Sequence, residues 1–270
     1  MVANSELQRM DLSGWRTGLA NLLRRENHAW WRSRRWLVQS LLWAIVVNGF
    51  VAFALFVVPL MAEITGAAEA QEIEPLANGV QALFQIGTVA LAAGAIVLVQ
   101  DAIIGERQLG VTEWLLSKPL SRSAYVLSKL LAHGWGILVI LVSLQGVIAY
   151  GLLSLAGGEP FPLAPYLVGM IGLALHTLFY LALTLMMGVL TDSRNKLLGV
   201  SLGTLLGGLL IAGLLGKFAM LTPWSLVGAL PAAVMGEPLP LPIWLPLVTT
   251  AALTLLCCVV ALYKFKSLEF

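Results

Sequence analysis

The sequence predicts an all-α membrane protein: six transmembrane helices, an N-terminal interfacial helix, and a short cytoplasmic helix between the second and third spans. Three observations carry this: the composition, six apolar stretches of spanning length, and a one-sided distribution of basic residues. Of the 270 residues, 59% are hydrophobic and 11% are charged, whereas a soluble domain carries about 25% charged residues. A water-soluble fold of this size would have to wear much of that apolar surface on its outside. The 26 glycines agree, because glycine is commoner in membrane helices than in soluble ones.

A helix needs about 20 apolar residues to cross about 30 Å of hydrocarbon. Six stretches meet that length: Trp36–Leu60, Val80–Val99, Leu130–Leu155, Tyr166–Leu190, Leu197–Gly216 and Ile243–Val260. The third and fourth are the longest, so tilting or extension beyond the hydrocarbon is expected of them. With the N-terminus in the cytoplasm, fifteen of the sixteen Lys and Arg residues fall on the inner side, from Arg9 through Arg35, Arg107 to Lys129, Arg194 and Lys196, to Lys264 and Lys266. Only Lys217 falls outside. The positive-inside bias therefore places both termini in the cytoplasm and supports six spans. The outer loops carry Glu63, Glu69, Glu72, Glu74, Glu159 and Glu237, and acidic residues contribute little to orientation. One transmembrane domain over 1–270 is expected, with 1–35 as the cytoplasmic or interfacial helix, 36–263 as the bundle and 101–129 as a cytoplasmic loop.

The polar, charged stretch Met1 to Arg35 does not read as a signal peptide. Within it, Trp15, Leu19, Leu22, Leu23 and Trp30 recur at helical spacing, with Arg16, Arg24, Arg25 and Arg32 around them. That pattern suits a helix in the membrane interface, arginines at anionic headgroups and tryptophans at the polar–apolar boundary. Glu26 interrupts the apolar stripe. The helix reads as an anchor, as a docking surface for a cytoplasmic partner, or as both.

The loop DAIIGERQLGVTEWLLSKPLSRSAYVLSK, Asp101–Lys129, is too long for a simple reversal and too short for a catalytic domain. Gly105 permits a sharp exit from the second span. Val111 to Leu116 makes a short helix bearing Val111, Trp114 and Leu115. Pro119 redirects the chain, and Ser121 or Ser123 caps the next helix. A short helix projecting from a bundle is a mechanical handle. Trp114 offers contact area, while Glu113, Arg107 and Arg122 offer polar orientation. On the residues alone, an ordinary interfacial loop that pairs its own charges is an equal reading.

Gly105–Lys129 resembles the coupling element of ABC-2-type transporter permeases, six-span subunits without a fused ATPase. Gly105 and Glu106 match the entry of the family pattern. Gly110 and Glu113 match its middle, then Leu115, Leu116, Ser117, Pro119, Ser121 and Arg122, and finally Lys129. The resemblance extends over nearly the whole chain. It implies a permease subunit of an ATP-driven exporter in the bacterial inner membrane, with the loop resting in a cleft of a cytoplasmic ABC ATPase. Two ATPase copies and a second permease copy, or a related permease, would complete the transporter. Gly105, Glu106, Arg107, Gly110, Glu113, Trp114, Pro119 and Arg122 would be the coupling residues. ATP and Mg would belong to the partner, because this chain carries no GxxxxGK[ST] phosphate loop. No cofactor, metal, catalytic residue or nucleic-acid partner is expected in the chain itself.

The fifth span places Gly199, Gly203 and Gly207 at intervals of four, with Gly208, Gly213 and Gly216 beside them. A face almost without side chains permits close helix approach, either inside the chain or across a permease dimer; the resemblance favours the dimer. Phe218–Leu241 is apolar but holds Pro223, Pro231, Pro238 and Pro240, and reads as two short interfacial or re-entrant pieces split by proline. They suit an outer gate or a contact with a periplasmic partner. Asn48, Gln85, Gln145, His176 and Thr184 lie inside spans and should face protein or water, as helix-to-helix hydrogen bonds or as a substrate path.

Within the family, the compact outer face resembles the permease that serves copper-centre maturation of nitrous oxide reductase. Met61, Met220 and Met235 near that face are weak support, and so are the adjacent Cys257 and Cys258, which read as apolar filler. A different class of function, an ATP-independent carrier or channel, would need ionisable groups near midplane. A membrane enzyme would need a cluster that the dispersed His28, His133 and His176 do not make. A membrane scaffold would tolerate loss of the Glu106–Glu113 region.

Overall fold

A computed structural model describes residues 14–66 and 74–268. Arg9, Glu69 and Glu72, which entered the charge reading, lie outside the described residues. The described chain is almost entirely helical and contains no strand. Six helices are long and apolar enough to cross a membrane: Arg35–Thr65, Pro75–Gln108, Arg122–Gly157, Leu163–Leu190, Arg194–Leu221 and Trp244–Lys266. The chain is a multi-pass membrane protein. The first five helices enclose the apolar stretches recognised in the sequence, and the sixth begins one residue inside its stretch and runs on to Lys266. The third is the longest, as expected, but the fourth is not among the longest: the first exceeds it, and so does the second, which runs through a bend at 100–103 into the loop.

The second, third and fourth spans form the buried centre, and the first, fifth and sixth flank it with large lipid-facing surfaces. Leu41, Ile45, Leu210 and Leu214 are among the exposed side chains, a distribution that only a lipid solvent makes favourable. Two clusters fill the interior. The larger joins Phe84, Leu91, Ile137, Leu141, Leu173 and Leu230. The smaller packs Phe179, Tyr180, Leu205 and Cys257 between the second, fourth, fifth and sixth spans. Cys257 is buried and Cys258 half-buried, both with free thiols, which agrees with apolar filler.

The first three spans are interrupted by π-helical turns at Ala44–Asn48, Phe53–Val57, Ala82–Ile86 and Leu138–Ser143. A π-turn frees a carbonyl from the regular ladder. Gln145 shows how the bundle satisfies one: its amide donates to Ile140 O at 3.0 Å and accepts from Asn48 Nδ2 at 2.9 Å. Asn48 and Gln145 are therefore a helix-to-helix bond between the first and third spans. Thr184 instead donates to Tyr180 O of its own helix, and Gln85 is exposed on the outward side of its π-turn. Those two depart from the expected interhelical role.

Both described ends of the chain meet at one end of the bundle, here termed the termini face. The N-terminal helix, Leu19–Trp31, lies against the start of the third span. Trp30 packs on Gly136, where an added Cβ would sit 2.8 Å from its ring. At the opposite face, Pro223 follows a 3-10 turn at Gly216–Leu221, and a helix runs unbroken over Leu226–Met235 with Pro231 inside it. Two short pieces split at a proline are therefore present: the break falls at Thr222 and Pro223, between the 3-10 turn and the helix, and Pro231 does not interrupt the second piece. Pro231 is the sixth residue of that helix, so its ring opposes only one carbonyl, Val227 O, and costs one bond.

Candidate functional site

The loop between the second and third spans folds as two short helices. The first, Ile104–Gln108, continues the second span after its bend; the second is Val111–Leu116. The latter has the bounds expected from the sequence. The turn between them is made by Gly110 at φ 69°, a left-handed conformation that favours glycine. Gly105, expected to provide the sharp exit, lies inside the first of these helices, and it is not among the glycines of positive φ. Ser121 caps the third span, its hydroxyl accepting from Ala124 N at 3.0 Å, and the same hydroxyl donates to Trp15 O at 2.6 Å. Gly18 presses on Leu120 so closely that a Cβ would overlap its side chain. The start of the N-terminal helix is thereby seated on the loop that Pro119 redirects.

Glu106 is the hub. Its Oε1 accepts from Arg25 Nη2 at 2.6 Å and lies 2.8 Å from Lys129 Nζ. Its Oε2 accepts from the Tyr125 hydroxyl at 2.7 Å. Because that hydroxyl spends its proton on Glu106, the contact at 3.2 Å between Tyr125 Oη and Thr112 Oγ1 has Thr112 as the donor. Tyr125 also stacks on Phe265 of the sixth span, centroids 5.0 Å apart and planes 13° apart. Lys129, 2% exposed, completes the cluster with a second partner, Glu26 Oε1, at 2.8 Å. Two carboxylates and two cations balance, and every short contact is a charge-assisted hydrogen bond. A buried charge of this kind is tolerated only while paired.

Three arginines tie the same region to the ends of other spans. Arg107 donates to Asp192 Oδ1 at 2.6 Å and to the terminal carbonyls Gly188 O and Thr191 O of the fourth span. Arg122 donates to Lys266 O and Leu268 O at the end of the sixth, each at 2.6 Å. Arg194, at the start of the fifth, bonds Gln100 Oε1 at 3.0 Å and sits 3.4 Å from Asp101 Oδ2. Cations suit helix C-termini, where unpaired carbonyls gather. Arg107 and Arg122, expected to supply polar orientation, thus spend donors inside the chain and hold span ends.

The opposite side of the loop is open. Leu109 is 80% and Trp114 62% exposed, and Glu113, Gly110 and Pro119 are exposed beside them. Lys118 Nζ lies 5.3 Å from the Trp114 ring. The expected coupling residues therefore divide. Gly110, Glu113, Trp114 and Pro119 form an outward knob, while Glu106, Arg107 and Arg122 are inward links and Gly105 is a half-buried helical residue. Sequence reasoning missed Glu26, Arg25, Tyr125 and Thr112 as members of the cluster. The one available signal was Glu26 itself, an acid on the apolar stripe of an amphipathic helix.

On the fifth span, nothing lies within 4 Å of a Cβ built at Gly199, Gly203 or Gly207. Packing of that face inside the chain is therefore excluded among the described residues. Close approach within the chain is made by Gly208 instead, where an added Cβ would fall 2.0 Å from the Trp224 indole. Among the described residues no group of three His, Cys, Asp or Glu side chains is placed to hold a metal.

A bundle of six membrane-length helices with a two-helix loop wired into its span ends defines a multi-pass membrane protein. Residues 20–269 match the family described as ABC-2 family transporter protein, and the chain belongs to that family. Membership implies an ABC ATPase subunit as partner. Among curated proteins, none matches the chain significantly.

Proposed function

We propose that the chain is the permease subunit of an ATP-driven ABC exporter, with the termini face in the cytoplasm and the knob at Leu109–Pro119 held by the ATPase. The carrying observation is the two-sidedness of the loop. Its outer side offers an aromatic, an acid and a flanking lysine to a partner, the composition of a contact hot spot. Its inner side is bonded to the N-terminal helix and to the third, fourth and sixth spans. Movement of the gripped knob would therefore be delivered to most of the bundle at once, without covalent chemistry in this chain. The open Gly199–Gly203–Gly207 face supports a second permease copy, because its packing partner is not supplied by the chain itself.

The test is reconstitution with the cognate ATPase. Glu113→Lys should leave membrane insertion intact and abolish stimulated ATP hydrolysis. Normal ATPase association and turnover in that variant would defeat the proposal. Cargo translocation by the chain alone would defeat it in favour of an ATP-independent carrier. A narrower proposal, resting on the compact outer face, places the chain in copper-centre maturation with a periplasmic partner. It predicts that deletion leaves the reductase present but without its copper centre, measurable by its visible spectrum.

A further inference from the structure

A cavity of about 170 Å³ opens beside the ion cluster, where the N-terminal helix meets the first three spans; its polar lining includes Glu26, Trp30, Arg35, Trp36, Gln39 and His133. One water takes about 30 Å³, so the space holds several waters or one small polar headgroup. Glu26 is 7% exposed. Its Oε1 is taken by Lys129. Its Oε2 has only His133 Nε2 nearby, at 3.9 Å, which is too long for a hydrogen bond. His133 Nδ1 accepts from Trp30 Nε1 at 3.1 Å, so the ring is neutral with its proton on Nε2. Glu26 Oε2 is thus a carboxylate oxygen on the cavity lining without a direct donor among the described residues. At the rim, Arg35 is exposed, and no carboxylate of the described residues pairs with it.

We propose that this cavity binds the headgroup of a phospholipid carrying a primary ammonium, with the phosphate on Arg35 and the ammonium on Glu26 Oε2 against the indoles of Trp30 and Trp36. The charges fix the polarity. Among the lining side chains, Arg35 is the cation without a carboxylate partner and is available to a phosphate, while Glu26 is the one carboxylate, with Oε2 left for a cation. A carboxylate oxygen without a donor selects a charged N–H donor over a neutral hydroxyl, and aromatic faces favour a cation over water. The N-terminal helix lies where such headgroups are concentrated if it rests in the interface. This inference needs the membrane placement but not the ATPase-docking reading, so either can fail alone.

Native mass spectrometry of the detergent-purified full chain, titrated with lipids of matched acyl chains, tests it. Phosphatidylethanolamine should bind at least tenfold more tightly than phosphatidylcholine, with a graded loss across the mono- and dimethylated headgroups as N–H donors disappear. Phosphatidylglycerol should fall between the two. Arg35→Ala should weaken all phospholipids about tenfold, and Glu26→Gln should erase the preference over phosphatidylcholine. If Glu26→Gln fails to insert, the methylation series on the natural chain decides. Equal binding of the two zwitterionic lipids, phosphatidylglycerol binding as tightly as phosphatidylethanolamine, or an Arg35→Ala variant with unchanged affinity would overturn the proposal. Displacement of bound lipid by soluble glycerophosphoethanolamine would replace the lipid with a soluble ligand and overturn it too.

Discussion

Glu106 and Glu113 lie seven residues apart in one loop, and the family resemblance gives them one role. Their surroundings are opposite. Glu106 is a half-buried hub with three partners on two helices, whereas Glu113 stands exposed next to Trp114. On the coupling role proposed above, the difference separates two tasks. Glu106 ties the loop to the N-terminal helix and the third span; Glu113, in that proposal, presents the loop to the ATPase. Variants on the two sides should therefore fail in different assays, and the contrast breaks if they fail in the same one.

The largest effect is expected inside the hub. Lys129→Met leaves Glu26 and Glu106 short of their shared cation, and breaking a buried pair costs about 3–5 kcal/mol. Thermal unfolding in detergent should show a large drop in midpoint, and membrane levels should fall. A Lys129→Met protein as stable as the natural one would mean that the cluster is hydrated and the loop loosely held. Next comes the knob. Trp114→Ala should preserve the unfolding midpoint but weaken ATPase binding by about 2 kcal/mol, the scale of a hot-spot aromatic, read by titration of labelled ATPase. If Trp114→Ala lowers the midpoint as Lys129→Met does, the two sides of the loop are not separate.

The fifth span offers the same contrast in small residues. Gly208→Leu must displace the Trp224 indole, so it should reduce monomer stability. Gly203→Leu meets nothing in the chain and should spare the monomer while lowering cross-linking between copies. Equal dimer yields for the Gly203→Leu and natural chains would remove the glycine face from the interface.

These contrasts also show what sequence can and cannot disclose. The six spans and the helix Val111–Leu116 were legible because hydropathy, length and proline punctuation are local. The glycine periodicity was legible too, but only space around each residue separates Gly208, against Trp224, from Gly203, in the open. Glu26 and Lys129 are 103 positions apart, and no periodicity links them; the acid registered only as a flaw in an apolar stripe. Arg107 and Arg122 read as surface specificity groups because a loop arginine usually is one, whereas here span ends supply carbonyls within reach. The π-turns had no signal, since one extra residue per turn leaves an apolar run looking the same. Gly105 and Gly110 are equally glycine, and only the backbone shows which of them turns.

Arg107 gives the smallest expected effect and the sharpest reading of the linkage. Asp192 is highly exposed, so the ion pair itself is worth at most about 1 kcal/mol, and Arg107→Ala should shift the unfolding midpoint by little. The carbonyls of Gly188 and Thr191, however, lose the donor that joins the loop to the end of the fourth span. If the inward bonds carry motion, Arg107→Ala should bind the ATPase with natural affinity and still transport less cargo per ATP hydrolysed. That ratio separates transmission from docking and from folding, because neither a lost contact with the ATPase nor a destabilised bundle lowers it at fixed occupancy.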